Sequence, residues 1–491
     1  MYNKNNNSGH MKQLIQTACA ALLLSAATLV QAQETWSLER CVIYAQDANL
    51  TVRQARANVK VGLLAEKQAK AARYPNISAN TSFGEQFGRT IDPTTNQFNT
   101  TGIGFNRLSL DASVPLFAGG QIHHNIKQSA WNARAAEADA SQSANTLALQ
   151  VAQAYLNILL AEEQLESAQR RVEQSERQLN VTQKLIDAGT VPAADRFNIL
   201  AQIARDEQGV VAAQNSVDLA YLSLKQFMQL EPDYDLRIER PEFEIPADVN
   251  PENYKLSEVY ADALNTQPNV KAADFRIKSA EEGIAVAKSA YFPSLVLFGS
   301  LTSNYSTRSL DFQNGTYLRD ELTDPVTLVI NGSDEVTIQQ KIQVYDYPRT
   351  PYFTQLDQNF GQGFGVQLQI PIYQNGSTRL NVERARLGVI NARLQENQVQ
   401  QQLKNDIQTA IANARSARKQ LDAAQKTFDA MQAAFNNTEK RHSLGAINAL
   451  ELTTAKTNLD TAENDLIVAR YDYLFKLKIL DFYQGKELRL K

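Results

Sequence analysis

Residues 147–190 read LALQVAQAYLNILLAEEQLESAQRRVEQSERQLNVTQKLIDAGT. Apolar or small side chains recur in this stretch in steps of four and three, at Leu147, Val151, Ala154, Ile158, Ala161, Leu165, Ala168, Val172, Ser175, Leu179, Thr182 and Ile186. This heptad register is typical of helices that pack as a coiled coil, and small seam residues allow close approach. Because no proline occurs between Leu116 and Val191, the pattern predicts one helix over about 124–187, roughly 95 Å long.

The same register returns 256 residues later, in LKNDIQTAIANARSARKQLDAAQKTFDAMQAAFNNTEKRHSLGA at 403–446. The equivalent seam positions are Leu403, Ile407, Ala410, Ala414, Ala417, Leu421, Ala424, Phe428, Met431, Phe435, Thr438 and His442. Gly189 and Gly445 follow the two helices and are predicted as left-handed C-caps. Second helices are expected to return from Ala193 and Asn448. The pattern therefore predicts two long helical hairpins, with tips at 188–192 and 444–448.

Shorter matches show that the chain is a duplicated module. The stretch 69–75 matches 287–293 at an offset of 218, whereas the motifs containing Pro115 and Pro371 match at an offset of 256. The second copy therefore carries an insertion of 38 residues, expected as a polar extracellular loop. Simple surface elaboration is the first interpretation of this loop, with ligand capture or surface recognition as the alternative.

The domain organisation follows from this duplication. We expect a first repeat over 33–230, a proline-rich acidic linker over 231–254 and a second repeat over 255–491. Each repeat opens with a helix-like segment, 38–72 or 256–290, that ends at an aromatic-Pro step.

Alternating apolar and polar residues predict a pair of strands in each repeat, within about 76–117 and 294–373. The alternation is clearest at Leu108, Leu110, Ala112, Val114 and Leu116. Each run is about ten residues long, which suits a tilted strand that crosses a bilayer. A half-buried sheet of a soluble protein would show the same alternation.

Composition excludes several classes of protein. Two Cys and four His among 491 residues exclude a cysteine-built metal site, and 49 basic against 53 acidic residues leave no basic excess for nucleic acid. His123 and His124 would point apart on a helix, so no metal or other cofactor is expected. The mean hydropathy of −0.38 argues against apolar membrane helices but not against a membrane β-barrel, whose strands average to neutral hydropathy.

The N-terminus predicts export. Lys12, an apolar run over 18–24 and the small-residue site Val30-Gln31-Ala32 together form the pattern of a signal peptide over 1–32. Its removal leaves Cys41 as the only thiol, so no internal disulfide is expected.

The two predicted strand pairs limit what the exported chain can be. Four strands cannot close a barrel, and an open sheet edge is not viable in lipid. Several chains must therefore pool their strands if the sheet lies in a membrane. Helices that continue side by side from such a barrel would form a tube reaching into the periplasm, suited to moving material across the outer membrane.

The order helix, strand pair, long hairpin, linker, and the same again, resembles the TolC family of outer-membrane efflux proteins, also called outer membrane factors. The motifs that carry the resemblance are VPLFAGG at 114–120, IPIYQNG at 370–376, the tips AGT at 188–190 and LGA at 444–446, and ARYDYL at 469–474. SLE at 37–39 and GRTIDP at 88–93 are similar to members from Bacteroidetes.

The resemblance implies a mainly α fold with membrane β-strands. Three copies would form a twelve-stranded outer-membrane β-barrel continued by an α-helical periplasmic barrel. It implies a location in the outer membrane that extends into the periplasm, contact with outer-membrane lipid, and docking with a periplasmic adaptor (a membrane fusion protein) and an inner-membrane pump. The docking residues would be Gly189, Thr190, Gly445 and Ala446.

A closed pore entrance around the tip glycines is also implied. Six residues after each glycine lies an acid, Asp195 or Glu451, and a ring of three carboxylates would favour cations. Thr454, Ile447 and His442 stand where the family has a second acid, a basic residue and a tyrosine, so we expect one acidic ring and fewer bonds between helices. His442 is expected to be able to bond to Asp195 of a neighbouring hairpin and to become charged as the pH falls towards 6.

Each of these residues has a simpler interpretation. Asp195 and Glu451 both open a returning helix, where a carboxylate is favoured by the positive end of the dipole. That explanation accounts for either residue as well as the gate does. His442 is equally well a tolerated seam residue.

The predicted function is therefore a passive exit duct, the outer-membrane subunit of a tripartite efflux or type I secretion system. A periplasmic coiled-coil adaptor or scaffold is the alternative, since it shares long helical hairpins. An enzyme is not expected, because no nucleophile triad, phosphate-binding loop or metal cluster is present in the sequence. The sequence does not specify the cargo.

Overall fold

The structure is a computed structural model that describes residues 35–91, 96, 98–100, 102–241, 250–330 and 334–486. The predicted signal peptide over 1–32 and residues 242–249 of the predicted linker lie outside this part. The chain divides into two units, each of which draws segments from both repeats. One unit contains the described residues up to 62, 131–277 and those from 390; the other contains 63–130 and 278–389.

Long helices dominate both repeats. The helices of the first repeat are α1 (Leu38–Ala48), α2 (Leu50–Ala71), α3 (Gln121–Asp187) and α4 (Asp195–Met228). Those of the second are α5 (Leu256–Thr266), α6 (Pro268–Ser289), α7 (Tyr352–Gln358), α8 (Ser377–Ser443) and α9 (Ala449–Tyr483). Helices α3 and α8 each have 67 residues. Every predicted seam position is buried or half-buried, so the heptad register identifies the packed face.

The main strands form a four-stranded antiparallel sheet in the order β1-β4-β5-β10. These strands are β1 (Asn76–Gln86), β4 (Ile103–Ala118), β5 (Ser294–Ser306) and β10 (Gly361–Gln369). Two short strands, β2 (Thr90–Ile91) and β3 (Phe98–Asn99), pair with each other between β1 and β4. Strand β10 ends at Gln369, although the predicted strand region of the second repeat runs on to about residue 373. Its last ladder partner is Ser294, the first residue of β5, so the ladder ends where the neighbouring strand begins.

Among the described residues, no helix is both long enough and apolar enough to cross a membrane.

The insertion, expected as a polar loop, contains regular structure. It holds β6 (Thr316–Leu322) paired with β9 (Lys341–Asp346), and β7 (Val326–Ile330) paired with β8 (Asp334–Ile338). Helix α7 follows these strands and leads into β10. The prediction of a loop is therefore wrong for most of this segment, because runs such as Val326 to Ile330 favour extended backbone.

The segments predicted as helix-like at 38–72 and 256–290 each consist of two helices. The breaks are at Asn49 and Gln267, which are 218 residues apart and hence equivalent in the duplication. Asn49 donates its side-chain amide to the carbonyl of Phe227, and Gln267 donates likewise to the carbonyl of Phe482. Pro268 disfavours helical backbone at the residue before it. The breaks thus bring an amide side chain to the end of the returning helix in each repeat.

Four apolar clusters form the core of the unit that contains the hairpins. In the first repeat, Tyr155 and Leu224 lie fully buried beside Cys41, whose thiol has its pKa raised to about 12 by burial. In the second repeat, Ile407 and Leu480 belong to a separate cluster. Two smaller clusters continue along α8 and α9 towards the hairpin tip.

Candidate functional site

The candidate site lies at the tips of the two hairpins. Helix α3 ends at Asp187, and Gly189 adopts the left-handed conformation with φ of +73°. The N–H of Gly189 donates to the carbonyl of Ile186, and the N–H of Thr190 donates to that of Leu185, both at 2.9 Å. This Schellman arrangement satisfies the last carbonyls of the helix.

The second tip repeats this geometry. Gly445 has φ of +69°, its N–H donates to the carbonyl of His442 at 2.8 Å, and that of Ala446 donates to Arg441 at 3.0 Å. A Cβ atom on Gly445 would lie 3.7 Å from the Cβ of Thr190. The two tips of one chain therefore lie side by side, with Gly189, Thr190 and Ala446 exposed.

The returning helices begin differently. Helix α9 begins at Ala449, after the N-cap Asn448, whose side chain accepts from the N–H of Glu451 at 2.9 Å. Helix α4 begins at Asp195, two residues after the predicted start at Ala193. Ala194 in the N-cap position has no side chain that could accept from the first helical N–H groups.

Asp195 is buried, with 7% of its surface exposed. Its carboxylate accepts from the N–H of Ala449 at 3.4 Å, so it lies at the N-terminus of α9 as well as in the first turn of α4. Both helix ends favour a negative charge there. This contact joins the two hairpins of one chain.

The other predicted gate residues occupy two kinds of environment. Glu451 and Thr454 are exposed, and the hydroxyl of Thr454 donates to the carbonyl of Leu450 at 2.9 Å. Ile447, in the place of the family's basic residue, is buried. Of the two acids expected in the entrance ring, only Glu451 has a freely exposed carboxylate within the chain.

Within the described chain, the hydrogen-bond partner of His442 is Gln178 rather than Asp195. The His442 side chain is fully buried, and Nδ1 lies 3.0 Å from Nε2 of Gln178. Because the amide nitrogen of Gln178 can only donate, Nδ1 accepts and the ring proton resides on Nε2. In the described part of the chain, Nε2 has no hydrogen-bond partner.

The surroundings of His442 shift its protonation to lower pH than that of an exposed histidine. Burial lowers its pKa below the ordinary value, and the negative charge of Asp195 only partly opposes that effect. Desolvation disfavours the imidazolium more than one nearby carboxylate stabilises it.

A buried charged cluster lies near the site and was not predicted. Nζ of Lys456 is 2.8 Å from Oδ2 of Asp460 and 3.3 Å from Oδ2 of Asp206. Ser175 and Gln202 also donate to the Asp206 carboxylate. The cluster thus connects α3, α4 and α9.

A sequence signal for this cluster exists. The buried positions of α9 include Ala449, Leu452, Lys456 and Leu459, so the steps of three and four place the lysine within an apolar stripe. A charge in such a stripe needs a buried partner of opposite sign. Burial raises the pKa of Asp460 more than the Lys456 ammonium lowers it.

Of the adjacent histidines near the strands, His124 contacts a carboxylate. Nδ1 of His124 lies 2.6 Å from a carboxylate oxygen of Glu282, and Lys127 contacts the other oxygen at 3.8 Å. No group of three or more metal-ligating side chains occurs among the described residues.

The chain is similar to known proteins in both sequence and structure. The family model described as "Outer membrane efflux protein" matches residues 44–228 and 352–485. Outer membrane protein TolC of Escherichia coli strain K12 is 24% identical over 339 residues, which cover 67% of this chain and 59% of TolC. The match thus spans less than two thirds of the length of TolC.

Other relatives match over more of their length. Outer membrane efflux protein BepC of Brucella suis is 21% identical over 94% of this chain and 91% of BepC. The solved structure of CusC superposes with a TM-score of 0.69 at 17% identity, covering 93% of both chains. The outer-membrane channel OprN gives a TM-score of 0.68 at 18% identity, over 92% of this chain and 90% of OprN. These structures share the fold of this chain.

Proposed function

Because this chain belongs to the outer membrane efflux protein family, we propose that it is the outer-membrane subunit of a tripartite efflux or type I secretion system. It serves there as a passive exit duct from the periplasm and an inner-membrane pump to the exterior. The family consists of outer-membrane channel proteins rather than enzymes. Because the chain belongs to this family, the alternative of a periplasmic adaptor or scaffold is disfavoured.

The observation that carries the proposal is the two-sided character of the four-stranded sheet. The pairing registers place apolar residues together on one face, namely Ile77, Ala79, Leu110, Ala112, Val114, Leu297, Leu301, Phe364, Val366 and Leu368. The opposite face carries Asn80, Asp111, Arg107 and Asn304, which hydrogen-bond to polar neighbours. An apolar outer face and a polar inner face are what a strand wall between lipid and water requires.

The edges of the sheet indicate how copies join. Strands β1 and β10 each have one paired side in the described chain, and unpaired strand edges are not tolerated in lipid. Since four antiparallel strands are an even number, β10 of one copy runs antiparallel to β1 of the next. Three copies, the number implied by the family, close a ring of twelve strands.

The tips form the entrance of this duct. Glu451 supplies the ring of three carboxylates, while Asp195, His442 and Ile447 hold the tip together from within. Adaptor docking uses the tip residues Gly189, Thr190, Gly445 and Ala446, to which Leu444 adds a side chain that is 83% exposed. An exposed apolar side chain beside capped helix ends suits a helical partner.

Purified protein tests the proposal directly. In mild detergent the native mass should be that of a trimer, and in planar bilayers the protein should give discrete conductance steps. Membrane fractionation should place it with outer-membrane markers. A monomeric mass without conductance would contradict the duct, and recovery in the soluble periplasmic fraction would favour the adaptor alternative.

A further inference from the structure

The insertion carries a surface that the exit-duct function does not explain. We propose that the β7–β8 hairpins of three copies pack against one another through their aliphatic faces and cover the outward end of the duct. This inference rests on the proposed function, because it requires three copies around one axis.

The three residue pairs of the β7–β8 hairpin furthest from its turn separate aliphatic from hydroxyl side chains. Val326 pairs with Ile338 and Leu328 pairs with Val336, so four aliphatic side chains share one face. On the other face Thr327 pairs with Thr337, and their hydroxyls are 3.3 Å apart. We call the face formed by Val326, Leu328, Val336 and Ile338 the aliphatic face.

No part of the described chain buries the aliphatic face. Its four side chains remain between 42% and 56% exposed. An isolated two-stranded hairpin is marginally stable in water, and an aliphatic face needs another surface to become stable. The hairpin therefore requires a partner.

We call the paired strands β6 to β9 of the insertion the ribbon. The base of the ribbon is held firmly by hydrogen bonds. The buried side chain of Gln355 accepts from the N–H of Ser306 at 2.9 Å and donates to the carbonyls of Ser306 and Thr350. Tyr352 donates to Asn106 on β4 at 2.7 Å. The ribbon thus starts from a fixed point where β5 ends and β10 begins.

Connectivity places this point at the outward end of the sheet. The long helices join the sheet at the start of β1 and β5 and at the end of β4 and β10. The insertion leaves from the end of β5 and returns at the start of β10, which is the opposite end. In a duct whose helices face the periplasm, the ribbon emerges outside the cell.

The reach of the ribbon allows three copies to meet. From 316 to 330 the chain can extend about 50 Å at 3.3 Å per residue. A ring of twelve strands about 4.8 Å apart and tilted by roughly 40° has a radius of about 12 Å. The hairpin can therefore reach the central axis, where a threefold arrangement brings three identical faces together.

Charge disfavours lipid as the partner. Residues 324–340 contain Asp324, Asp334 and Glu335 but no lysine, arginine or aromatic residue. Segments that lie on membranes usually carry basic residues and interfacial Trp or Tyr. The absence of these features favours a protein surface over lipid as the partner, and the protein surface within reach of the hairpin is that of a second and a third copy.

Cysteine cross-linking tests this inference. Cys41 is the only cysteine of the described chain and is buried with a raised pKa, so an introduced thiol would react alone. Leu328→Cys places a thiol on the aliphatic face, and Thr327→Cys places one on the opposite face as a matched control. The pair Val336→Cys and Thr337→Cys repeats the comparison on β8, in case one variant folds poorly.

The trimer in mild detergent should be treated with a short bismaleimide and separated on a denaturing gel. We expect Leu328→Cys and Val336→Cys to form covalent dimers several-fold more than the threonine controls. Equal cross-linking on both faces, or none on the aliphatic face of an intact trimer, would overturn the inference.

Three outcomes distinguish failure of the inference from failure of the proposed function. Quenching of a fluorophore on Leu328→Cys by lipid-borne nitroxide, without cross-linking, would assign the face to the membrane and reject packing between copies. A monomeric native mass would reject the proposed function as well as the inference. A trimer without cross-links would reject the inference alone.

Discussion

The ammonium of Lys456 lies 3.3 Å from the carboxylate of Asp206, and both side chains are less than a tenth exposed. These residues are 250 positions apart, in different repeats. Removing two charges from water costs several kcal/mol for each ion unless they pair well. The contact therefore fixes α9 against α4 at one height along the hairpins.

Loss of the lysine should destabilise the protein strongly. Lys456→Met leaves the buried carboxylate of Asp206 without its cation, which typically costs about 3–5 kcal/mol. The measurement is the free energy of unfolding by denaturant in detergent. Arg177→Ala is the control, because its pair with Glu173 is exposed and should contribute less than about 1 kcal/mol. Equal losses in both variants would show that the buried pair has no special role.

Stability should depend on pH through His442. The folded pKa is below the unfolded value of about 6.5, so the unfolded chain takes up a proton first. Stability is then complete above pH 6.5 and falls as the pH decreases, by at most about 1.4 kcal/mol per pH unit. His442→Gln should remove this part of the dependence between pH 7.5 and 5.5.

Thermal or denaturant unfolding at several pH values would detect the change. His123→Gln is the matched variant, since His123 is exposed. A pH dependence that is the same in the His442→Gln variant and the unmodified protein would contradict the assignment.

Glycine at the first tip should be required for its backbone conformation. Gly189→Ala forces a Cβ atom into the left-handed region and should cost about 1–2 kcal/mol, although no atom lies within 4 Å of that position. Gly209→Ala in the interior of α4 also meets nothing within 4 Å, but its backbone is helical. That variant should be more stable than the unmodified protein by about 0.5–1 kcal/mol. A similar effect of both changes would exclude backbone strain as the cause.

The two acids of the predicted gate should behave differently. Glu451→Gln removes the exposed carboxylate, so cation preference and block by multivalent cations should both decrease. Asp195→Asn removes a buried helix-capping charge and should lower stability by about 1 kcal/mol with little change in selectivity. Reversal potentials in planar bilayers under a salt gradient measure the ion selectivity of each variant. If only the Asp195 variant alters selectivity, the roles are reversed.

The periodic spacing of apolar residues in the sequence predicted much of the fold. Val151 and Ile158 are fully buried, as the heptad register predicts, because the spacing of apolar residues fixes the packed face of a helix. Gly189 and Gly445 end their helices because no other residue tolerates the required φ so easily. Strand alternation likewise placed β1 and β4 within a few residues.

Contacts between distant segments were harder to predict. The breaks at Asn49 and Gln267 depend on carbonyls of Phe227 and Phe482 that only the folded chain brings near. The partner of His442 proved to be Gln178, because the relative rotation of two packed helices selects it and no pattern within one helix reveals that rotation. The similarity to members from Bacteroidetes remains a prediction.

The pair of Asp206 and Lys456 also bears on how the two halves of the chain depend on each other. The position equivalent to Asp206 in the second half is Ala462, and that equivalent to Lys456 in the first is Leu200. A chain made by fusing two first halves would bury two aspartates without a lysine, and one made from two second halves would bury two lysines without Asp206. Duplication supplied the symmetry, but sequence divergence has since made the halves complementary, so neither can replace the other.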